Sequence, residues 1–133
     1  MAAITKVILS GSTTGMGIKL TDTSTSGNTD AGYLIHTAVS GTTDMDEVWL
    51  YAHNSSTAGV KLTLEWGGVT APDNTIEVTL PPEEGLMQVA PGLLLQNGLH
   101  IKAFASAANV VTIYGFVNRI DYGWPVVNEP SIL

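Results

Sequence analysis

The chain has 133 residues and a mass of 14.0 kDa, enough for one domain with a sizeable core. Its net charge is −7, and its five basic residues are scattered at Lys6, Lys19, Lys61, Lys102 and Arg119, so a phosphate backbone would be repelled at long range and nucleic acid is not expected as a partner. There is no cysteine, which excludes disulfides and thiolate zinc sites, and no apolar run approaches the length of a bilayer span.

Charged residues make up 13% of the chain, about half the usual share. Much of the surface must then be small polar or apolar, which suits a protein packed against copies of itself or a partner. The amino terminus has no basic region leading into a long apolar stretch, so the expectation is a soluble protein made in a cytoplasm.

In chain order, Thr5–Ser10 reads as a first strand, followed by a glycine-rich turn at Gly11–Gly17. The turn fails the phosphate-loop pattern because Met16 stands where the second glycine is needed. It fails the dinucleotide fingerprint because Leu20 stands where the last is needed. Ile18–Thr21 suggests a short strand, and Asp22–Gly32 has no large apolar residue and reads as a solvated loop. Tyr33–Val39 resumes strand character, and Ser40–Met45 is a turn cluster.

The clearest patterning spans Asp46–Trp66. Val48, Leu50 and Ala52 share one face of a strand, with Trp49, Tyr51 and His53 on the other. Val60, Leu62 and Leu64 then alternate with Lys61, Thr63 and Glu65, and the polar Asn54–Gly59 stretch suggests a turn joining an antiparallel pair. Further strands are expected at Thr75–Leu80, Leu86–Val89, Leu99–Ala105 and Val110–Asn118, the last two as a pair, with an apolar turn at Pro91–Gly98. About eight short strands and no helical period indicate an all-β antiparallel sandwich or barrel.

The end of the chain departs from this pattern. Pro125 and Pro130 make residues 121–133 unsuitable for a helix or a central strand, yet the segment carries Tyr122, Trp124, Val126, Val127, Ile132 and Leu133. Each large apolar side chain gains roughly 1.5–3 kcal/mol when fully buried. An extended arm over 121–133, beyond a sandwich domain over 1–120, must therefore dock on its own domain or on a neighbour. A neighbouring chain, sister subunit or other partner, is the expectation.

The chemical inventory is bland. His36, His53 and His100 lie on three expected strands without metal-ligand spacing, and no His-x-His with a following Glu marks a cupin. The acids at Asp44, Asp46 and Glu47 and at Glu83–Glu84 read as solvated loop charge, and no Gly-x-Ser-x-Gly accompanies the many serines. No cofactor and no enzymatic activity are expected. Trp49, Tyr51, Trp66 and Trp124 are candidates for a binding surface, because aromatic faces stack on sugar rings and anchor protein interfaces.

The runs Ile35–Ser56 (IHTAVSGTTDMDEVWLYAHNSS), Val60–Pro82 (VKLTLEWGGVTAPDNTIEVTLPP) and Pro91–Ile120 resemble small decoration, or cement, proteins of tailed bacteriophage capsids. The resemblance implies a jelly-roll sandwich without an active site, assembled as a homotrimer on the outer capsid surface of the virion. Its partners would be itself and the phage major capsid protein, with no nucleic acid or membrane. Interface residues would then be sought among Trp49, Tyr51, Trp66, Tyr122, Trp124, Val126, Val127, Ile132 and Leu133. The alternative is a carbohydrate-binding or receptor-binding jelly-roll module of a phage.

Overall fold

A computed structural model describes residues 2–21, 23 and 33–122 of the chain. Most of the Asp22–Gly32 loop, and the arm beyond Tyr122 with Trp124, Val126, Val127, Ile132 and Leu133, lie outside the described residues.

The described chain is all-β, with nine strands: β1 (Ala3–Val7), β2 (Ile18–Lys19), β3 (Tyr33–Thr37), β4 (Met45–Asn54), β5 (Val60–Trp66), β6 (Thr75–Leu80), β7 (Met87–Leu95), β8 (His100–Ala105) and β9 (Val111–Asp121). They form two antiparallel sheets packed face to face. Sheet A has the order β1-β9-β4-β7, with β2 continuing the β1 edge along β9. Sheet B has the order β3-β8-β5-β6.

The pairings are nested. β5 pairs with β6, β4 with β7, β3 with β8, and β1 and β2 with β9. The chain thus doubles back at the Gly67–Asn74 turn, and the doubled ribbon rolls up into a jelly-roll-like sandwich.

This topology corrects the expected antiparallel pairs. β4 and β5 are not hydrogen-bonded to each other: β4 lies between β9 and β7 in sheet A, and β5 lies between β8 and β6 in sheet B. The Asn54–Gly59 connection crosses between sheets, and the buried Asn54 side chain organises the crossing. Its Nδ2 donates to the carbonyls of Ala58 at 2.9 Å and Leu80 at 3.0 Å, while its Oδ1 accepts from the Ser56 backbone and hydroxyl. β8 and β9 are likewise divided between the sheets, and Ser55 N–H bonds to the Val110 carbonyl, tying the two crossings together.

A second correction concerns Pro91–Leu95. The expected turn is instead the second half of β7, which pairs with β4 through two register shifts. Proline is tolerated there because β7 is an edge strand whose outer side needs no donor.

The core forms where the inward faces meet. Val48, Leu50 and Ala52 of β4 and Val111, Ile113 and Val117 of β9 face Leu62, Leu64, Ile101 and Ala103 of sheet B, all essentially inaccessible to solvent. The alternation read in β4 is therefore correct: Trp49, Tyr51 and His53 are on the outer face of sheet A.

Candidate interaction surface

Strand parity builds the outer face of sheet A. Opposite Glu47, Trp49, Tyr51 and His53 of β4 stand Asn118, Phe116, Tyr114 and Thr112 of β9. Two aromatic pairs, Trp49–Phe116 and Tyr51–Tyr114, thus lie side by side at positions where cross-strand side chains touch. Trp49 and Phe116 stack, with ring centroids 6.2 Å apart and planes 11° from parallel, and the Lys6 ammonium lies 4.1 Å from the Phe116 centroid.

Trp49 is held on three sides. Its indole N–H donates to Glu47 Oε1 at 2.9 Å, and the same oxygen accepts from Asn118 Nδ2 at 3.0 Å. These two donors hold the Glu47 carboxyl below its usual range. Gly92, at a φ of +78°, lies against the indole so closely that a Cβ there would meet the ring at 2.8 Å. Gly17 lies in the same way beneath Tyr114. The face is thus a closely packed plate with an aromatic centre. Within the plate Tyr114 is 38% exposed, and at its rim Ile4 is 68% and Leu94 53% exposed.

The candidate residues do not all belong to this plate. Trp49 and Tyr51 are on it, half-buried. Trp66 is on the opposite sheet and points inward at the end of β5, where its ring packs against the core and its N–H approaches the Leu94 carbonyl at 3.5 Å. Tyr122 is exposed just past β9, anchored by its backbone N–H to Asp44 Oδ1 at 3.0 Å. The sequence reading missed Phe116, Tyr114, Ile4 and Leu94. The period of two in β9 would have placed Tyr114 and Phe116 on one face, but no local signal says that β9 is the neighbour of β4.

The polar groups serve structure. Asp46, read as solvated loop charge, is fully buried between the sheets. Its carboxylate accepts from His36 Nε2 at 2.8 Å, Arg119 Nε at 2.8 Å, Arg119 Nη2 at 3.0 Å and the Val39 N–H at 3.1 Å. Burial alone would raise the Asp46 pKa, but the bonds from Arg119 and His36 outweigh it and lower the value. Burial lowers the pKa of His36, against the opposing pull of Asp46. Its Nδ1 accepts the Ser10 backbone N–H at 3.0 Å, so the ring is neutral with the proton on Nε2.

A serine, a histidine and an aspartate are adjacent here, but they do not form a nucleophilic relay. The Ser10 hydroxyl accepts from the Thr37 N–H rather than meeting the imidazole. His53 bonds to the Gly85 carbonyl and His100 to the Thr37 hydroxyl, and no three His, Cys, Asp or Glu side chains converge among the described residues. On the outer side of sheet B, a cavity of about 420 Å³ is lined by Glu65, Val69, Leu99, His100 and Lys102. Glu65 is 1% exposed there, so its carboxylate is closed to a ligand in this arrangement.

No family model, no curated protein and no solved structure matches this chain.

Proposed function

We propose that the chain is a structural decoration (cement) protein of a tailed-phage capsid. It self-associates, as a trimer, and binds the major capsid protein on the outer surface of the virion shell. The observation that carries this reading is the outer face of sheet A, where Trp49, Tyr51, Tyr114 and Phe116 form an ordered plate rimmed by exposed Ile4 and Leu94.

Rigid aromatic side chains are the usual anchors of protein interfaces, because they bury much area at little entropic cost. A contiguous exposed apolar patch marks association. The resemblance of Ile35–Ser56, Val60–Pro82 and Pro91–Ile120 to capsid decoration proteins supplies the kind of partner. A shell that repeats the same site many times also lets modest contacts act together.

The carbohydrate-binding alternative draws less support. A sugar ring needs an open aromatic face, and Trp49 is already engaged by Phe116, Glu47 and Gly92.

The test is co-sedimentation of the purified protein with capsids that lack it. Saturable binding, weakened by Trp49→Ala and by Tyr114→Ala, is expected. Failure of the folded protein to sediment with any such capsid would remove the proposal.

A further inference from the structure

We propose that the Met45–Leu94 corner of sheet A binds the C-terminal segment 123–133 of a second copy of this chain, with Trp124 as the anchoring side chain. The inference rests on reading the chain as self-associating, and it names the surface and the segment that carry the association.

The receiving site is a shallow apolar notch of about 300 Å³, lined by Met45, Leu94, Leu95 and Gln96 where β7 ends beside the start of β4. Leu94 is on its rim, and Ile4 extends the apolar surface across β9, opposite Ile120. The notch opens onto the edge of the aromatic plate, because Leu94 and Trp49 flank Glu47 on the same outer face.

The donated segment begins at the same corner. β9 remains paired as far as Asp121, opposite Ala3, and the next N–H, that of Tyr122, is held by Asp44 Oδ1. The Asp44 carbonyl in turn accepts from Gln96 Nε2 at 2.9 Å, so the point of departure and the notch share a residue. Residues 123–133 contain Trp124, Val126, Val127, Ile132 and Leu133 and a single charge, Glu129, opposite in sign to Lys6 on the plate. At about 3.3–3.6 Å per residue the segment can span on the order of 35 Å, longer than the roughly 27 Å from Met45 to His53.

Two features favour a second copy over the same chain. β9 runs toward this corner to its last residue, Asp121, whereas the notch lies level with Asn118–Ile120, so reaching it within one copy requires an immediate reversal. Trp124 precedes Pro125, and a residue before proline is biased to extended backbone, which opposes that reversal. Pro125 and Pro130 also lack the N–H groups needed for a regular added strand on the β7 edge, so the segment binds through side chains. Each copy both donates and receives, so copies related by a rotation that closes form a ring, a trimer among them.

The cysteine-free chain permits a direct test. Full-length Leu94→Cys and Trp124→Cys chains are mixed and treated with a short bismaleimide, with each chain alone as the control. A covalent pair formed in the mixture, well above either control, is expected. Cross-linking only within a chain carrying both substitutions would place the segment on its own domain and overturn the proposal, as would no cross-chain product. In parallel, Trp124→Ala should lower the mass in solution to that of the monomer while thermal unfolding stays cooperative; an unchanged mass would also overturn it. Cross-linked rings that ignore capsids would sink the decoration reading alone, whereas capsid binding without cross-chain product would sink this inference alone.

Discussion

His36 donates from Nε2 to the Asp46 carboxylate at 2.8 Å, joining β3 of sheet B to β4 of sheet A through the interior of the sandwich. Arg119 of β9 completes the group with two donors to the same carboxylate. Four donors meet one buried acid, so the group is satisfied only while all three strands are in place.

Its pH dependence follows from the direction of the shifts. The folded His36 titrates below its ordinary value of 6.5, so the unfolded chain takes up its proton first as pH falls. The associated stability is fully present above pH 6.5 and is lost as pH falls from there toward the folded value. Asp46 also titrates below its ordinary 3.8, so its contribution is present above that and is lost at still lower pH. Tm should therefore fall from pH 7 to pH 5 and again below pH 4. In His36→Gln the first fall should flatten, and an unchanged slope between pH 7 and 5 would contradict this assignment.

Removing the acid should cost more than removing an ordinary surface charge. Asp46→Ala leaves His36 Nε2–H, the Val39 N–H and a partly buried guanidinium without their acceptor. A loss of about 3–5 kcal/mol is expected by denaturant titration. A loss below 1 kcal/mol would mean that water replaces the carboxylate.

The two strand tryptophans should separate stability from association. Trp66→Ala opens a cavity at the end of the core and should cost about 3 kcal/mol or more of folding stability. Trp49→Ala removes a ring from the outer face, where the stacked pair contributes about 0.5–1.5 kcal/mol beyond its burial. It should lower stability less and self-association or capsid binding more. Denaturant melts and sedimentation of the two variants side by side check the contrast.

Gly115 should not tolerate a side chain. A Cβ there would collide with the Trp49 carbonyl oxygen across the β9–β4 pair and press on Leu50. Gly115→Ala should destabilise the fold severely, by several kcal/mol, because the clash is with backbone that cannot rotate away. Normal yield and an unshifted Tm would show that the two strands separate more easily than this pairing implies.

Faces were legible in the sequence, and neighbours were not. A period of two is a local property, so Val48, Leu50 and Ala52 could be set against Trp49, Tyr51 and His53 from the chain alone. Which strands share a sheet depends on contacts distant in sequence, and the polar Asn54–Gly59 stretch has the composition of a hairpin turn although it crosses between layers. The side-chain bonds of Asn54 that define the crossing reach Leu80, on another strand. Asp46 reads as solvated for the same reason: a carboxylate beside a turn usually is, and the partners that make burial tolerable here are ten and seventy-three positions away. Pro91 signalled a turn because its position on a sheet edge is not visible locally. Of the candidate surface, the β4 half was legible, whereas the pairing that sets the β9 half beside it was not.

The measurement that bears most directly on the proposed role is quantitative mass spectrometry of virions purified from the proposed parent phage, combined with imaging of their capsids. Hundreds of copies per particle, placed as extra density on the outer shell, is the expected result. Virions that contain the major capsid protein but none of this chain would contradict the decoration role outright.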